Sequence, residues 1–337
     1  MTECSERTNG NRSPTRGTAP ATAGAHMALF HRSAAEYLDG VGKFVTDGLT
    51  AGEVVLVAVP GERIDMLNDA LGTAGASVHF ADMSLLGANP ARIIPAIRAF
   101  LDARPGERVR LVGELVWPGR TPAQVAESLR HEAVLNLALA GTPTSALCPY
   151  DAAEPNSAVL PAARRVHPHV LTAAGSAPCP DYNTDGLLVG QQTRPDPHPD
   201  TEPLCLVHTF DDLPALRRAV TDRATAAGLP ADRRDEFLVA VGEVATNGLA
   251  HTDHGAQVRC GLDRAEGSLV VEVATAGHIN DPMIGRVLRP TATGGRGLWI
   301  VNQLCDLVEL YSGPWGSLTR LHAHLTHAPS AASRAPA

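Results

Sequence analysis

Glu243, Asn247 and His251 follow one another at intervals of four residues, so on a helix they share one face. A carboxylate one turn before an amide suits a magnesium–nucleotide site. The amide oxygen of Asn247 is a hard ligand of the kind Mg²⁺ takes, and the Glu243 carboxylate can accept the proton of an attacking hydroxyl or water. The same triplet also reads as a polar stripe on a core helix, because Phe237, Val241, Val244 and Leu249 fill much of the remaining surface. Further on comes Thr293-Gly-Gly-Arg-Gly-Leu-Trp-Ile-Val301. Gly294, Gly295 and Gly297 let backbone N–H groups approach an anion, a helix starting near Leu298 adds its positive dipole end, and Arg296 can reach phosphate oxygens. A glycine-rich loop alone reads equally as a surface turn; following Glu-x-x-x-Asn with two strands between, it becomes specific.

Those groups need a frame. After a strand over Leu204–Phe210, the patterning predicts helices over Leu213–Ala227 and Asp232–His251. Strands follow over Gln257–Leu262 and Leu269–Thr275, then a helix near Leu298–Leu304 and strands over Leu307–Tyr311 and Leu318–His324. Strands joined by short turns predict a mostly antiparallel sheet with helices on one face. The earlier half alternates instead. Strand signals at Val54–Val59, Ser77–Phe80, Val109–Val112 and Ser145–Cys148 are interleaved with helical patterns after Pro60 through Leu71, over Pro90–Leu101 and over Pro122–Leu139. That alternation predicts a mainly parallel sheet with helices on its faces, so the fold class is α/β in both halves.

The chain has 337 residues, enough for two domains. Residues 1–25 are polar and Gly/Pro/Thr-rich and are read as disordered, as is the tail 328–337. A run of alternating prolines before Pro203 places the linker at 186–203, between domains over 27–185 and 204–327. The formal charge is −8, and no stretch concentrates Lys or Arg, which argues against direct nucleic-acid binding. Six scattered cysteines without a C-x-x-C pair argue against a disulfide scaffold or a zinc finger. No signal-peptide pattern and no membrane-length apolar run is present, so a soluble, cytoplasmic protein is expected.

Glu243-Val-Ala-Thr-Asn247 with His251 resembles the N-box of the GHKL ATPase superfamily, and Gly294-Gly-Arg-Gly-Leu-Trp299 resembles its second glycine box. The run Trp299-Ile-Val-Asn-Gln-Leu-Cys-Asp306 is similar to the anti-sigma-factor serine kinase branch. The resemblance spans about residues 205–327 and implies a two-layer α/β sandwich that binds ATP and Mg²⁺. It implies Asn247 as the Mg²⁺ ligand, Glu243 as base, and Gly294, Gly295, Arg296 and Gly297 as a lid over the phosphates, with His251 and Leu298 beside them. One departure stands out. The family's Asp-x-Gly, whose carboxylate accepts from the adenine amino group, reads Thr275-Ala-Gly277 here, and Ser317 falls where a Thr usually neighbours that Asp. A charge-assisted hydrogen bond of roughly 1.5–3 kcal/mol becomes a neutral one of about 1 kcal/mol, so weakened adenine binding is expected.

Residues 27–185 resemble the MEDS sensory domain, a degenerate RecA-like module. The matching pieces are Phe30-His-Arg-Ser33, Gly52–Pro60, Val112-Gly-Glu114, Leu147-Cys-Pro-Tyr-Asp151 and His167-Pro-His169. Gly42-Lys43 is followed by Phe44 where a phosphate loop needs Ser or Thr, so a non-catalytic domain is expected. His31, Glu114, Cys148, Tyr150, Asp151 and His167 are candidates for a small-molecule pocket at the strand ends. A metal site from His31, Cys148 and His167 is chemically open but has no support in spacing. A redox role for Cys148 turns on its exposure and acidity. His198, among prolines, is poorly placed as a phosphoacceptor. The resemblances imply a signalling regulator whose sensor controls a serine/threonine kinase domain acting on a sigma factor or an anti-sigma antagonist. The alternatives are a non-catalytic interaction module and an atypical histidine-kinase-like ATPase; a homodimer is left open.

Overall fold

The computed structural model describes residues 24–153, 158–184, 192–252, 254–288 and 296–325. The N-terminal part is built on a seven-stranded sheet in the order β3-β2-β4-β5-β1-β6-β7. Its strands are β1 (His26–His31), β2 (Val54–Val59), β3 (Val78–Asp82), β4 (Val109–Gly113), β5 (Thr144–Asp151), β6 (His169–Thr172) and β7 (Gly175–Pro178). Every pairing is parallel except that of β6 with β7. The helices are α1 (Ala34–Thr50), α2 (Gly61–Leu71), α3 (Met83–Leu86), α4 (Ile93–Asp102), α5 (Pro122–Leu139) and α6 (Val159–Val166).

Helices α1 and α5 open on side-chain caps. The Ser33 hydroxyl accepts the Glu36 amide to open α1, and Thr121 with Gln124 forms a reciprocal capping box before Pro122 on α5. Strand side chains alternate between two helical layers. Val55, Val57 and Val59 join Met27, Leu29, Tyr37, Val41 and Leu67 under α1 and α2, whereas Leu56, Val109 and Leu111 meet Ile94, Val134, Leu135 and Ala138 under α4 and α5. The predicted Gly42-Lys43 pair lies inside α1, where Lys43 pairs with Asp47 one turn on, so it forms no phosphate loop.

The C-terminal part is a five-stranded antiparallel sheet in the order β11-β12-β10-β9-β8. Its strands are β8 (Thr201–Val207), β9 (Ala256–Asp263), β10 (Ser268–Thr275), β11 (Leu307–Gly313) and β12 (Gly316–His324), with helices α7 (Leu213–Ala226), α8 (Ala231–His251) and α9 (Gly297–Leu304). Phe237, Val241, Val244 and Ala245 of α8 pack with Val258, Val271, Val273 and Leu321 of the sheet and Val301 of α9 in one core. Strand β8 begins three residues earlier than Leu204 and includes Pro203, which an edge strand tolerates at an irregular pairing. The sheet's other face is polar: Glu272 pairs with Arg320 at 2.8 Å, and Glu309 lies 3.0 Å from His322. No described helix is long and apolar enough to cross a membrane.

Candidate nucleotide site and its contacts with the sensor

Helix α8 carries Glu243 and Asn247 on the side that meets the start of α9. A methyl group placed at Gly297 would lie 2.7 Å from Asn247 Nδ2 and 2.9 Å from Glu243 Oε2. Only a residue without a side chain lets the backbone of the glycine loop come that close to both groups. One residue along α8, Gly248 rests on Thr275, whose Cγ2 lies 2.6 Å from where a Gly248 methyl would be. Thr275 and Ser317 face each other in the β10–β12 register, with their hydroxyls 2.9 Å apart. Gly277 follows beside Thr252 and Thr275. Thus Glu243, Asn247, Gly297, Thr275, Gly277 and Ser317, drawn from α8, α9 and the ends of β10 and β12, line one continuous region.

Other expected site residues fall differently. Gly294 and Gly295 lie outside the described residues. Arg296 occupies the N-cap position of α9 and is exposed, and His251 is exposed on the last turn of α8. Leu298 packs against the hydrophobic core and abuts Gly285.

The segment between β10 and α9 leans on the N-terminal part. Arg286 is buried, 3.5 Å from His131 Nδ1 and 3.7 Å from Glu127 of α5. Met283 and Val287 pack onto the α4/α5 core. At the far end of α9, Asn89 Nδ2 donates to the Asn302 carbonyl at 3.0 Å, and Arg92 donates to the carbonyls of Asn302 at 2.9 Å and Cys305 at 2.7 Å. These carbonyls have no partner within the helix. The segment that carries the glycine loop is therefore held by the N-terminal part on both sides of that loop, a contact that no local sequence pattern announced.

The candidate sensor residues divide between the two faces of the sheet, because alternate residues of β1 point opposite ways. On one side, the Tyr37 hydroxyl donates to Glu114 at 3.0 Å, Arg63 lies 3.8 Å from the same carboxyl, and the His31 ring meets Tyr37 edge-on. Asp151 pairs with His31 in the β1–β5 register but is exposed. On the other side, Cys148, Tyr150 and His167 gather with His26 and Glu132. A grouping of His31 with Cys148 and His167 is thus ruled out by strand alternation. Cys148 is 2% exposed, and burial pushes its thiol well above the usual range, the opposite of an exposed, acidified reactive thiol.

Burial pushes the Glu114 carboxyl up to about 7, with Glu62 and Asp151 adding to the shift against Arg63 and Tyr37. A folded-state value above the ordinary 4.5 means that the neutral carboxyl stabilises the fold at low pH. That contribution is lost as pH rises through about 7. Glu114→Gln, which stays neutral and can still accept from Tyr37, should match the parent at pH 5. At pH 8 it should be the more stable, by on the order of 1–3 kcal/mol. Urea midpoints at the two pH values read this directly; a difference that does not change with pH would refute it.

The antiparallel sheet backed by helices, with a carboxylate and an amide on one helix facing a glycine at the start of another, defines an ATPase domain of the histidine-kinase-like class. Residues 206–322 match the family model of the histidine kinase-like ATPase domain, and residues 25–168 match that of MEDS, the methanogen/methylotroph DcmR sensory domain. The chain carries a MEDS domain followed by a histidine kinase-like ATPase domain. Among solved structures, it is similar to the RsbU and RsbW domains of Rv1364c from Mycobacterium tuberculosis, at 18% identity and a TM-score of 0.30. The match covers 40% of this chain and 34% of that one, about a third of its length, and is too loose to bear on function. No curated protein matches. A sensory domain joined to this ATPase class fits a signalling regulator, and the ATPase class implies ATP, usually with Mg²⁺.

Proposed function

We propose that the protein is a signalling regulator whose MEDS domain governs an ATP- and Mg²⁺-dependent serine/threonine kinase of the anti-sigma-factor type. The observation that carries this reading is the approach of Gly297 to Glu243 and Asn247, a cradle that any side chain at 297 would fill. ATP supplies the transferable γ-phosphoryl group, and Mg²⁺ neutralises its charge. The residues of the chain do the rest. Asn247 offers its amide oxygen to the metal, and Glu243 takes the proton of the attacking hydroxyl. Gly294, Gly295, Arg296 and Gly297 offer backbone and guanidinium donors to phosphate. The hydroxyl acceptor is assigned to a serine of a sigma factor or its antagonist by resemblance to the anti-sigma branch.

MgATP at about a hundred times its Kd should stabilise the full-length protein by about 2.7 kcal/mol. Gly297→Ala should remove that shift while leaving the ligand-free protein near its parent stability, because the groups it meets are the movable ends of side chains. A normal MgATP shift in Gly297→Ala would overturn the assignment of the site.

One observation favours a second reading, a non-catalytic partner-binding module. Thr275 spends its hydroxyl on Ser317 and brings no carboxylate to an adenine amino group. Thr275→Asp should therefore tighten MgATP binding by roughly 3- to 30-fold, the ratio of a charge-assisted to a neutral hydrogen bond. Equal affinities by calorimetry would show that this position does not contact the base.

A further inference from the structure

The MEDS domain contains a closed set of four metal-ligand side chains. His26 of β1, Glu132 of α5, Cys148 of β5 and His167, just before β6, bring one ligand atom each to within 4.8 Å of one another, and all four are buried. His26 and Cys148 come from adjacent strands of one sheet, Glu132 from α5 and His167 from the end of α6, so the cluster sits where β1, β5 and α5 meet. Glu132 Oε2 lies 3.0 Å from His26 Nε2, 3.4 Å from Cys148 Sγ and 3.7 Å from His167 Nε2; His26 Nε2 is 3.3 Å from the sulfur. Metal–ligand bonds of about 2.0–2.3 Å in a tetrahedron put ligand atoms roughly 3.3–3.8 Å apart. Three of these separations, 3.3, 3.4 and 3.7 Å, fall on such edges, and the fourth, 3.0 Å, is slightly shorter.

The hydrogen-bond partners outside the cluster fix what points inward. Asn136 Nδ2 donates to the carbonyls of Glu132, Ala133 and Val166, so its Oδ1 faces His26 Nδ1, which donates to it at 3.0 Å. His167 Nδ1 donates to the Ala163 carbonyl at 2.7 Å. Both imidazoles therefore turn Nε2 towards the Glu132 carboxylate, and His167 Nε2 is buried without any hydrogen-bond partner. Tyr150 satisfies the other Glu132 oxygen at 3.1 Å. With both Nε2 atoms unprotonated, as metal ligation requires, three inward acceptors share a single inward donor, the Cys148 thiol. Buried acceptors facing one another repel unless a cation lies between them. An outer carbonyl or amide that orients each ring is also the arrangement found around metal-bound histidines.

We propose that His26, Glu132, Cys148 and His167 bind a divalent transition-metal ion of borderline softness, Zn²⁺ being the best fit to an N₂SO set. Four protein ligands leave no open position, so the ion is structural rather than hydrolytic. Binding releases the Cys148 proton to solvent, and the site then holds two anionic and two neutral ligands around a 2+ ion. Because Glu132 adjoins His131 and lies on the helix that meets Arg286, the ion ties that helix to the sheet.

The full-length protein, stripped with chelator and still folded by circular dichroism, should take up one equivalent of Co²⁺. It should then show a near-ultraviolet thiolate-to-cobalt band together with intense tetrahedral visible bands, and Zn²⁺ should displace them. Cys148→Ser should lose the charge-transfer band, and His167→Ala should weaken binding 100-fold or more. His31→Ala, on the opposite face of the sheet, should behave as the parent. If folded parent protein takes up no Co²⁺ or Zn²⁺, or if the thiolate band persists in Cys148→Ser, the proposal is overturned. In the first case a proton shared among these groups would be what holds the cluster together.

Discussion

Replacing Glu243 with alanine should lower phosphoryl transfer or ATP turnover by 10²- to 10⁴-fold, the usual contribution of a positioned general base. MgATP affinity should change little. The carboxylate and the Asn247 amide face the same glycine, yet they are assigned different tasks. Under the proposed function Asn247 would meet the metal in the bound ground state, whereas Glu243 would act only once a hydroxyl or water attacks. The two variants should therefore separate. Asn247→Ala should lose the MgATP-induced thermal shift, and Glu243→Ala should keep the shift but lose labelled phosphate released or transferred from γ-labelled ATP. Turnover that survives Glu243→Ala would remove this carboxylate from the chemistry. Turnover absent from the parent, with MgATP binding intact, would favour the partner-binding reading.

The largest effect on stability is expected at Gly316. It opens β12 with φ +112, and a methyl group there would stand 2.1 Å from the Thr275 carbonyl oxygen. Neither the turn nor the strand backbone can give way without parting Thr275 from Ser317. The dihedral alone costs on the order of 1–3 kcal/mol in a residue with a side chain, and the backbone collision adds to that. Gly316→Ala should lose on the order of 4 kcal/mol, enough to lower Tm by about 10 °C or more. Gly267, in the β9–β10 turn, makes the control. Its φ is +61, but a methyl group there meets nothing within 4 Å, so Gly267→Ala should cost only about 1 kcal/mol. Equal losses at the two positions would mean that the collision at Gly316 is relieved cheaply.

Much of the ATPase half was legible because its signals are local. The triplet on α8, the apolar stripe of Phe237, Val241 and Val244, and the short hairpins each depend on neighbours a few residues apart. Thr275 and Ser317 were matched through resemblance, and the strand register sets them side by side. The sensor half was harder. Strand β1, buried between β5 and β6, is six residues with a histidine at either end, and neither its existence nor α1 was read from periodicity. Its partner in β5 lies more than a hundred residues away, and parallel pairing leaves no turn signature between them. For the same reason His31 was grouped with Cys148, although alternation along β1 sends His31 and His26 to opposite faces. His26 and Cys148 are 122 residues apart and Glu132 and Cys148 are 16 apart; no spacing rule connects them. Pattern reading catches what a helix or hairpin brings together and misses what only a finished sheet does.

The closure of α9 by Asn89 and Arg92 bears on how this protein can be dissected. An excised C-terminal half would carry two carbonyls whose donors were left behind on the discarded fragment, so its terminal turn would unwind or seek water. Measurements on such a fragment would describe an altered candidate site. A chimera that transplants this ATPase behind a foreign receptor would need to bring the Asn89–Arg92 clasp with it.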